Sequence, residues 1–211
     1  MIRAYDEIYL EDAMQNFAVS LDYGAKVCKG GLDEYYDRLL VGATVHQFEN
    51  GNPNYLVGMS GIEFAQKVIE GTGGNIPDFE YVLRDRSTNF WAGWSLAYLQ
   101  WYTGYSFEKI QQSGCTIQTV VSLYPTLHEA DLSKFVEVAL GRMNAMETVN
   151  RLKTQRKLSG LTQTELANRS GVSLRMIRAY EQGQQPLAKA EAGTVFSLAK
   201  ALGCDAEALL G

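Results

Sequence analysis

The chain has 211 residues, of which 46% are hydrophobic, so it is long enough for one large domain or two small ones with buried cores. No stretch approaches the roughly 18 consecutive apolar residues of a membrane span, and the N-terminus lacks a signal-peptide pattern; these features exclude a membrane protein and predict a cytoplasmic location. The net charge is −5, but residues 1–145 hold ten basic against eighteen acidic side chains, whereas residues 151–182 hold seven against two. A basic block in an acidic chain indicates an anionic partner at one end.

Four helices are predicted in the first half of the chain. The first covers residues 10–21, where apolar side chains recur at three- and four-residue spacings. The second covers residues 32–48, and its inward positions are Tyr35, Tyr36, Leu39 and Ala43. Ser60 opens the third, because Glu63 follows at capping-box spacing. The fourth carries an aromatic face made of Phe90, Trp91, Trp94, Tyr98 and Trp101.

Shorter helices are predicted at 106–112, 116–124 and 131–143, after which the charge balance changes. This change predicts a boundary between an acidic, helical, bundle-like domain of residues 1–144 and a second domain of residues 145–211. The whole chain is therefore predicted to be all-α.

Five short helices are predicted in the second domain. The first ends at Leu158, and the second begins at Thr162 with Glu165 completing a capping box. Gly171 ends the second helix in a left-handed turn, and Ser173 caps a third that stops at Gly183. A fourth helix ends at Gly203 and a last turn closes the chain.

The segment Leu161–Gly183 carries a recognisable motif, LTQTELANRSGVSLRMIRAYEQG. It resembles the helix-turn-helix of the Cro and phage-repressor type, the Xre-like family, and the resemblance extends over about 65 residues, including the preceding and following helices. Each element has a mechanical reason: Ala167 is small where two helices cross, Gly171 makes the turn, and Leu166, Val172 and Ile177 hold the helix pair together.

In this family the third helix enters the major groove, with its N-terminal residues against base edges. The resemblance therefore implies that the DNA-facing residues are Ser173, Leu174, Arg175, Met176, Arg178 and Ala179. An arginine at 175 or 178 can donate two hydrogen bonds to guanine, and Leu174 or Met176 can contact a thymine methyl group. For Arg178 a solvated arginine without a base contact is the alternative.

Three glutamines and one ion pair complete the expected site. The resemblance implies that Gln163 binds a backbone phosphate and that Gln184 and Gln185 do likewise; such contacts position the protein without carrying sequence information. It also implies that Arg156 pairs with Glu181, which would orient the recognition helix.

Residues 1–144 offer weaker signals. Cys28 and Cys115 in this region, and Cys204 in the second domain, are scattered and are expected to be reduced, buried thiols. His46 and His128 have no partner at ligand spacing, so neither a metal nor a cofactor is predicted. The Gly71–Gly74 stretch lacks the following Lys-Ser/Thr of a phosphate loop. Glu63 or Asp85 would be candidates if the domain were an enzyme, but no pattern singles them out.

Several segments of this region are similar to helical regions found ahead of such domains in bacterial proteins: YDEIYLEDAM, GNPNYLVGMSGIEFAQKVI, FWAGWSLAYLQWYTG and SLYPTLHEADLSKF. The prediction is a DNA-binding transcription regulator, a repressor that binds its operator as a homodimer, in its specific form an antitoxin whose N-terminal domain holds a toxin. The alternatives are a ligand sensor with a pocket among Trp91, Trp94, Trp101 and the tyrosines, and an N-terminal enzyme with a DNA-binding tail.

Overall fold

The structure, a computed structural model, describes residues 3–78, 80–82 and 87–210, apart from the side chain of Asn150. Over these ranges the chain forms α-helices joined by turns and contains no strand, which confirms the predicted all-α class. Among the same residues, no helix combines the length and the apolarity needed to cross a bilayer.

Thirteen α-helices are present in the described part of the chain, together with 3-10 turns at Glu7–Tyr9 and Leu187–Lys189. In chain order they are α1 (Leu10–Val27), α2 (Gly31–Val41), α3 (Ala43–Glu49), α4 (Pro53–Leu56), α5 (Gly61–Gly71), α6 (Thr88–Thr103), α7 (Phe107–Gln112), α8 (Ile117–Leu127), α9 (Leu132–Leu158), α10 (Gln163–Ser170), α11 (Leu174–Glu181), α12 (Ala192–Leu202) and α13 (Glu207–Leu210). The chain forms two compact units, Met1–Ala139 and Leu140–Gly211, and their division falls within α9.

Two predicted helix boundaries differ from the structure. The single helix expected over 32–48 is two helices separated at Gly42, whose backbone is extended (φ −80°, ψ 140°) because glycine is a poor helix former. Ala43 is consequently exposed, not inward as predicted. Conversely, the helices expected to end at 143 and to begin at 146 are one helix, because α9 contains no proline that would interrupt its backbone hydrogen bonds.

The first unit is built around α1, which packs against α2, α5 and α6. Phe17 on α1 is fully buried and stacks on Phe107, with ring centroids 4.5 Å apart. Helices α1 and α6 approach closely at Gly93, where a Cβ atom would lie 2.7 Å from the Cα of Ala18. Only glycine therefore fits at this crossing.

The second unit has its own core. The buried members contributed by α9 to α12 include Leu152, Leu166, Ile177 and Leu198, each fully buried. On α12 the buried side chains are Val195, Leu198, Ala199 and Leu202, which lie at helical spacing, and the helix ends at Gly203 with a left-handed backbone. Because residues of both helices share this core, α10 and α11 are held in a fixed relation to each other.

Candidate nucleic-acid interface

Local capping sets the ends of α10. The Thr162 hydroxyl accepts from the Glu165 amide at 3.2 Å, and the Glu165 carboxylate accepts from the Thr162 amide at 2.7 Å, so the predicted capping box is present. At the other end Gly171 has φ 73° and its N–H donates to the Ala167 carbonyl. These contacts stop the helix and turn the chain within one residue.

A three-residue turn separates α10 from α11. The Ser173 hydroxyl accepts from the Met176 amide at 3.3 Å and so caps α11, as predicted. Leu166 and Ile177 are both fully buried in the same core, and Val172 packs against that core from the turn. The pair of helices is therefore clamped together by apolar contacts on their facing sides.

The opposite side of α11 is open to solvent. Ile177, Tyr180 and Glu181 are buried, whereas Arg175 and Arg178 are exposed. In the described part of the chain neither arginine forms an ion pair, so both guanidinium groups are available to an anionic partner.

A shallow groove runs over this face, and all of the predicted DNA-facing residues except Gln163 line it. The lining residues are Ser173, Leu174, Arg175, Met176, Arg178, Ala179, Gln182, Gln184 and Gln185. We call this surface the α11 groove. Within it Leu174, Met176 and Ala179 are half-buried, and Met176 packs partly against the core. Leu174 is therefore the better placed of the two apolar candidates for a thymine methyl group.

Gln182 belongs to the α11 groove but was absent from the residues predicted from the sequence. Its amide oxygen accepts from the Gln184 side chain at 3.0 Å, and the Gln184 backbone N–H donates to the Ala179 carbonyl at 2.9 Å. The loop after α11 thus folds back onto the end of that helix. Helical periodicity was the available signal, because position 182 follows Arg175 by seven residues and Arg178 by four.

Behind the groove, Arg156 of α9 and Glu181 of α11 form a bidentate ion pair. Arg156 Nε lies 2.5 Å from Glu181 Oε1, and its Nη2 donates to Oε2 at 3.0 Å. The third arginine nitrogen, Nη1, donates to the Leu161 carbonyl at 2.8 Å. The side chains are 12% and 2% exposed, so the pair is largely shielded from water.

Gln163 joins this pair. Its Nε2 donates to Glu181 Oε2 at 2.7 Å, so one carboxylate receives hydrogen bonds from both Arg156 and Gln163. Burial by itself would raise the pKa of Glu181, but these hydrogen bonds and the nearby positive charge outweigh it and hold the pKa below its usual value. Gln163 therefore lies outside the α11 groove, half-buried, with one of its amide hydrogens already engaged.

The comparison with known families agrees with this geometry. Residues 152–209 match the family described as Helix-turn-helix, which confirms the resemblance to Xre-like domains at the C-terminus. No curated protein and no solved structure matches the chain. The match over residues 152–209 supports a DNA-binding role for this segment, of the kind found in Xre-type transcription regulators, a family that is generally non-enzymatic.

In the first unit the predicted aromatic face is divided between two places. Trp91 and Trp94 line a cleft with Phe90, Tyr124 and His128. Trp101 does not, because it is 5% exposed and its indole N–H donates to the Tyr5 carbonyl at 2.9 Å. The pocket predicted among all three tryptophans is corrected to one with two of them.

The remaining candidates of the first unit have structural explanations or lie outside the described residues. Glu63 is engaged in the capping box with Ser60, and Asp85 lies outside the described ranges. In the described structure none of the three cysteines is in a disulfide; Cys115 is buried, as predicted, whereas Cys28 and Cys204 are half-buried.

Proposed function

We propose that this protein is a sequence-specific transcription regulator that represses its target by occupying an operator through α11. The α11 groove carries this proposal, because it gathers two exposed arginines and several glutamines on the open side of a helix whose other side is buried. A helix of eight residues is about 12 Å long, which suits the roughly 12 Å width of the major groove.

In the proposed complex, the residues of the α11 groove have two roles. Arg175, in the first turn, donates two hydrogen bonds to a guanine, and Leu174 contacts a neighbouring thymine methyl group. Gln182, Gln184 and Gln185, at the far end of the groove, bind phosphates or sugar edges and fix the register. The Gln163 side-chain amide donates one of its two hydrogens to Glu181 and the other to a phosphate.

The experiment is selection of genomic fragments by the full chain at physiological salt. An enriched sequence motif is expected, and the same selection with an Arg175→Ala, Arg178→Ala double variant is expected to lose it. The double variant removes only exposed side chains, so a circular dichroism spectrum equal to that of the parent serves as the folding control. Absence of any enriched motif with the folded parent would contradict the proposal.

The first unit is proposed to bind a protein partner, in the specific form a toxin whose expression the same chain represses. Its acidity supports this role, since residues 1–139 hold eighteen acidic against nine basic side chains, and this excess of negative charge is repelled by DNA. Co-expression with the product of a neighbouring small open reading frame tests it. Stable co-purification is the expected result, and a partner that binds only the second unit would contradict the assignment.

Ligand sensing is the second candidate role for the first unit. The observation that favours it is the aromatic cleft, which leaves Trp91 and Trp94 half-buried beside Tyr124 and His128. A regulator of this kind would change its operator affinity when the cleft is filled. The chemical class of the ligand is inferred below.

A further inference from the structure

We infer that the cleft of the first unit binds an uncharged, planar nitrogen heterocycle with a ring N–H, of the size of an indole or a single nucleobase. The inference deepens the sensing role and rests on it for its biological meaning, but the cleft itself stands on residues of the first unit alone. Three properties of the cleft select this ligand class: its aromatic rings, the absence of charged residues from its lining, and the ring nitrogen of His128 as a hydrogen-bond acceptor.

Rings form most of the lining. Phe90 and Trp94 stack with an interplanar angle of 21°, and Tyr124 and His128 stack with an angle of 23° at 4.5 Å. Trp91 meets Tyr124 edge to face, at 77°. A flat aromatic ligand gains ring contacts against such a lining beyond the free energy of burying its area.

The size of the cleft and the charge of its lining restrict the class of ligand further. The cleft has a volume of about 220 Å³, below the roughly 300–1,000 Å³ of pockets for drug-sized ligands. Its seven lining residues include no Asp, Glu, Lys or Arg. A charged ligand would lose its hydration here without gaining an opposite charge.

His128 supplies the polar contact. Its Nδ1 lies 2.8 Å from the Tyr124 carbonyl oxygen, which only accepts, so Nδ1 carries the proton and donates. In the neutral ring Nε2 is then an acceptor. Its nearest acidic neighbour, Glu129, is 3.7 Å away and its side chain is 90% exposed, so no hydrogen bond engages Nε2 in the described structure. A ring N–H of the ligand is the matching donor.

The test is calorimetric titration of the full chain with indole and with 1-methylindole, which has the same ring system but no N–H. Indole is expected to bind about fivefold more tightly, as one neutral hydrogen bond requires. His128→Phe keeps a ring on Tyr124 but removes the acceptor, so it is expected to bind both probes equally. Equal binding of both probes by the parent chain, or no binding of indole, would overturn the inference.

Whether indole binds in this cleft is tested by filling the cleft with a larger side chain. Ala130→Trp places an indole at its rim, where the native side chain is exposed, and is expected to abolish binding. Ala43→Trp, also at an exposed alanine of this unit, is the matched control and is expected to bind as the parent does. Unchanged binding by a folded Ala130→Trp chain would overturn the assignment of the cleft.

Two further probes test whether the cleft binds a different kind of ligand. Tetramethylammonium tests a cation cage, and N-acetyltryptophanamide tests a tryptophan side chain of a partner protein. Tighter binding of either than of indole would overturn the inference in favour of that occupant. His128→Phe leaves α11 unaltered and is expected to retain operator binding. Failure of the ligand inference can therefore be distinguished from failure of the DNA-binding proposal.

Discussion

At the scale of single residues, Arg175 and Arg178 lie on the same exposed face of α11 but in different turns of the helix. Arg175 lies in the first turn, where base contacts are made in this type of domain. Arg175→Ala is expected to cost about 1–3 kcal/mol of binding free energy on the preferred site and to relax selectivity at one or two base pairs. Affinities for preferred and scrambled duplexes, measured side by side, check this. Equal losses on the two duplexes would transfer the base-reading role to Arg178.

Gln163 is expected to respond differently, because a phosphate is alike in every sequence. Gln163→Ala should lower the affinities for the preferred and the scrambled duplex in equal proportion. It should also lower the free energy of unfolding by about 1.5–3 kcal/mol, since the Glu181 carboxylate loses a hydrogen bond. The matched control is Thr164→Ala, because Thr164 is the next residue on the same helix and is exposed; this variant should change neither quantity appreciably. A loss of selectivity in Gln163→Ala would contradict the phosphate assignment.

Arg156 is expected to act on stability alone. Arg156→Ala strands the buried Glu181 carboxylate and should cost up to about 3–5 kcal/mol of unfolding free energy at neutral pH. The matched control is Arg151→Ala, which breaks the more exposed pair with Glu147 and should cost at most about 1 kcal/mol. Denaturant unfolding measures both, and base preference should be unchanged in each.

The pH dependence gives a second signature of the same ion pair. In the parent chain the pKa of Glu181 is lower when folded than when unfolded, so its stabilising contribution is present above the unfolded value of about 4.3 and is lost as pH falls below it. Arg156→Ala removes the largest of the contributions that offset burial, so we expect the folded pKa of Glu181 in this variant to rise above the unfolded one. The variant should therefore recover part of its stability as pH falls from 7 towards 4, and a parallel pH profile in parent and variant would contradict the role of the pair.

At the scale of elements, the geometry of the turn between α10 and α11 depends on one backbone conformation. Gly171 and Gly193 are matched, because a Cβ atom at either would meet nothing within 4 Å, but only Gly171 has a positive φ, 73°. Gly171→Ala is expected to destabilise by about 1–2 kcal/mol. Gly193→Ala, in the first turn of α12, is expected to stabilise by up to about 1 kcal/mol. Thermal midpoints decide, and equal shifts in the two variants would show that φ is not the determinant.

At the scale of the whole molecule, a single domain of this size contacts few base pairs, and we expect two chains to bind paired half-sites about 34–36 Å apart. Operator affinity should fall steeply with salt, because every phosphate contact releases counterions. Light scattering with and without the operator, at several salt concentrations, measures both effects. One chain bound to a single unpaired site would contradict the homodimer.

Features that depend on residues near in sequence were predictable from the chain alone. The capping boxes at Ser60 and Thr162 and the left-handed turn at Gly171 are present as expected, because each involves groups within about four residues of one another. The motif from 161 to 183 likewise combines short-range turns with a periodic apolar stripe. Its spacing predicted the helix pair, and the family resemblance that it carries implied which side of α11 faces solvent.

Features that depend on distant residues were decided by the tertiary structure. The aromatic helix α6 has one periodic face, yet Trp94 lines a cleft with α8 residues whereas Trp101 is covered by the N-terminal segment through Tyr5. Gln163 occupies the position for which the family resemblance implies a phosphate contact. Its side-chain amide, however, donates a hydrogen bond to Glu181, eighteen residues away. Helical spacing tells which residues share a face; which partner covers that face depends on long-range packing and on where each buried polar group finds its hydrogen bonds.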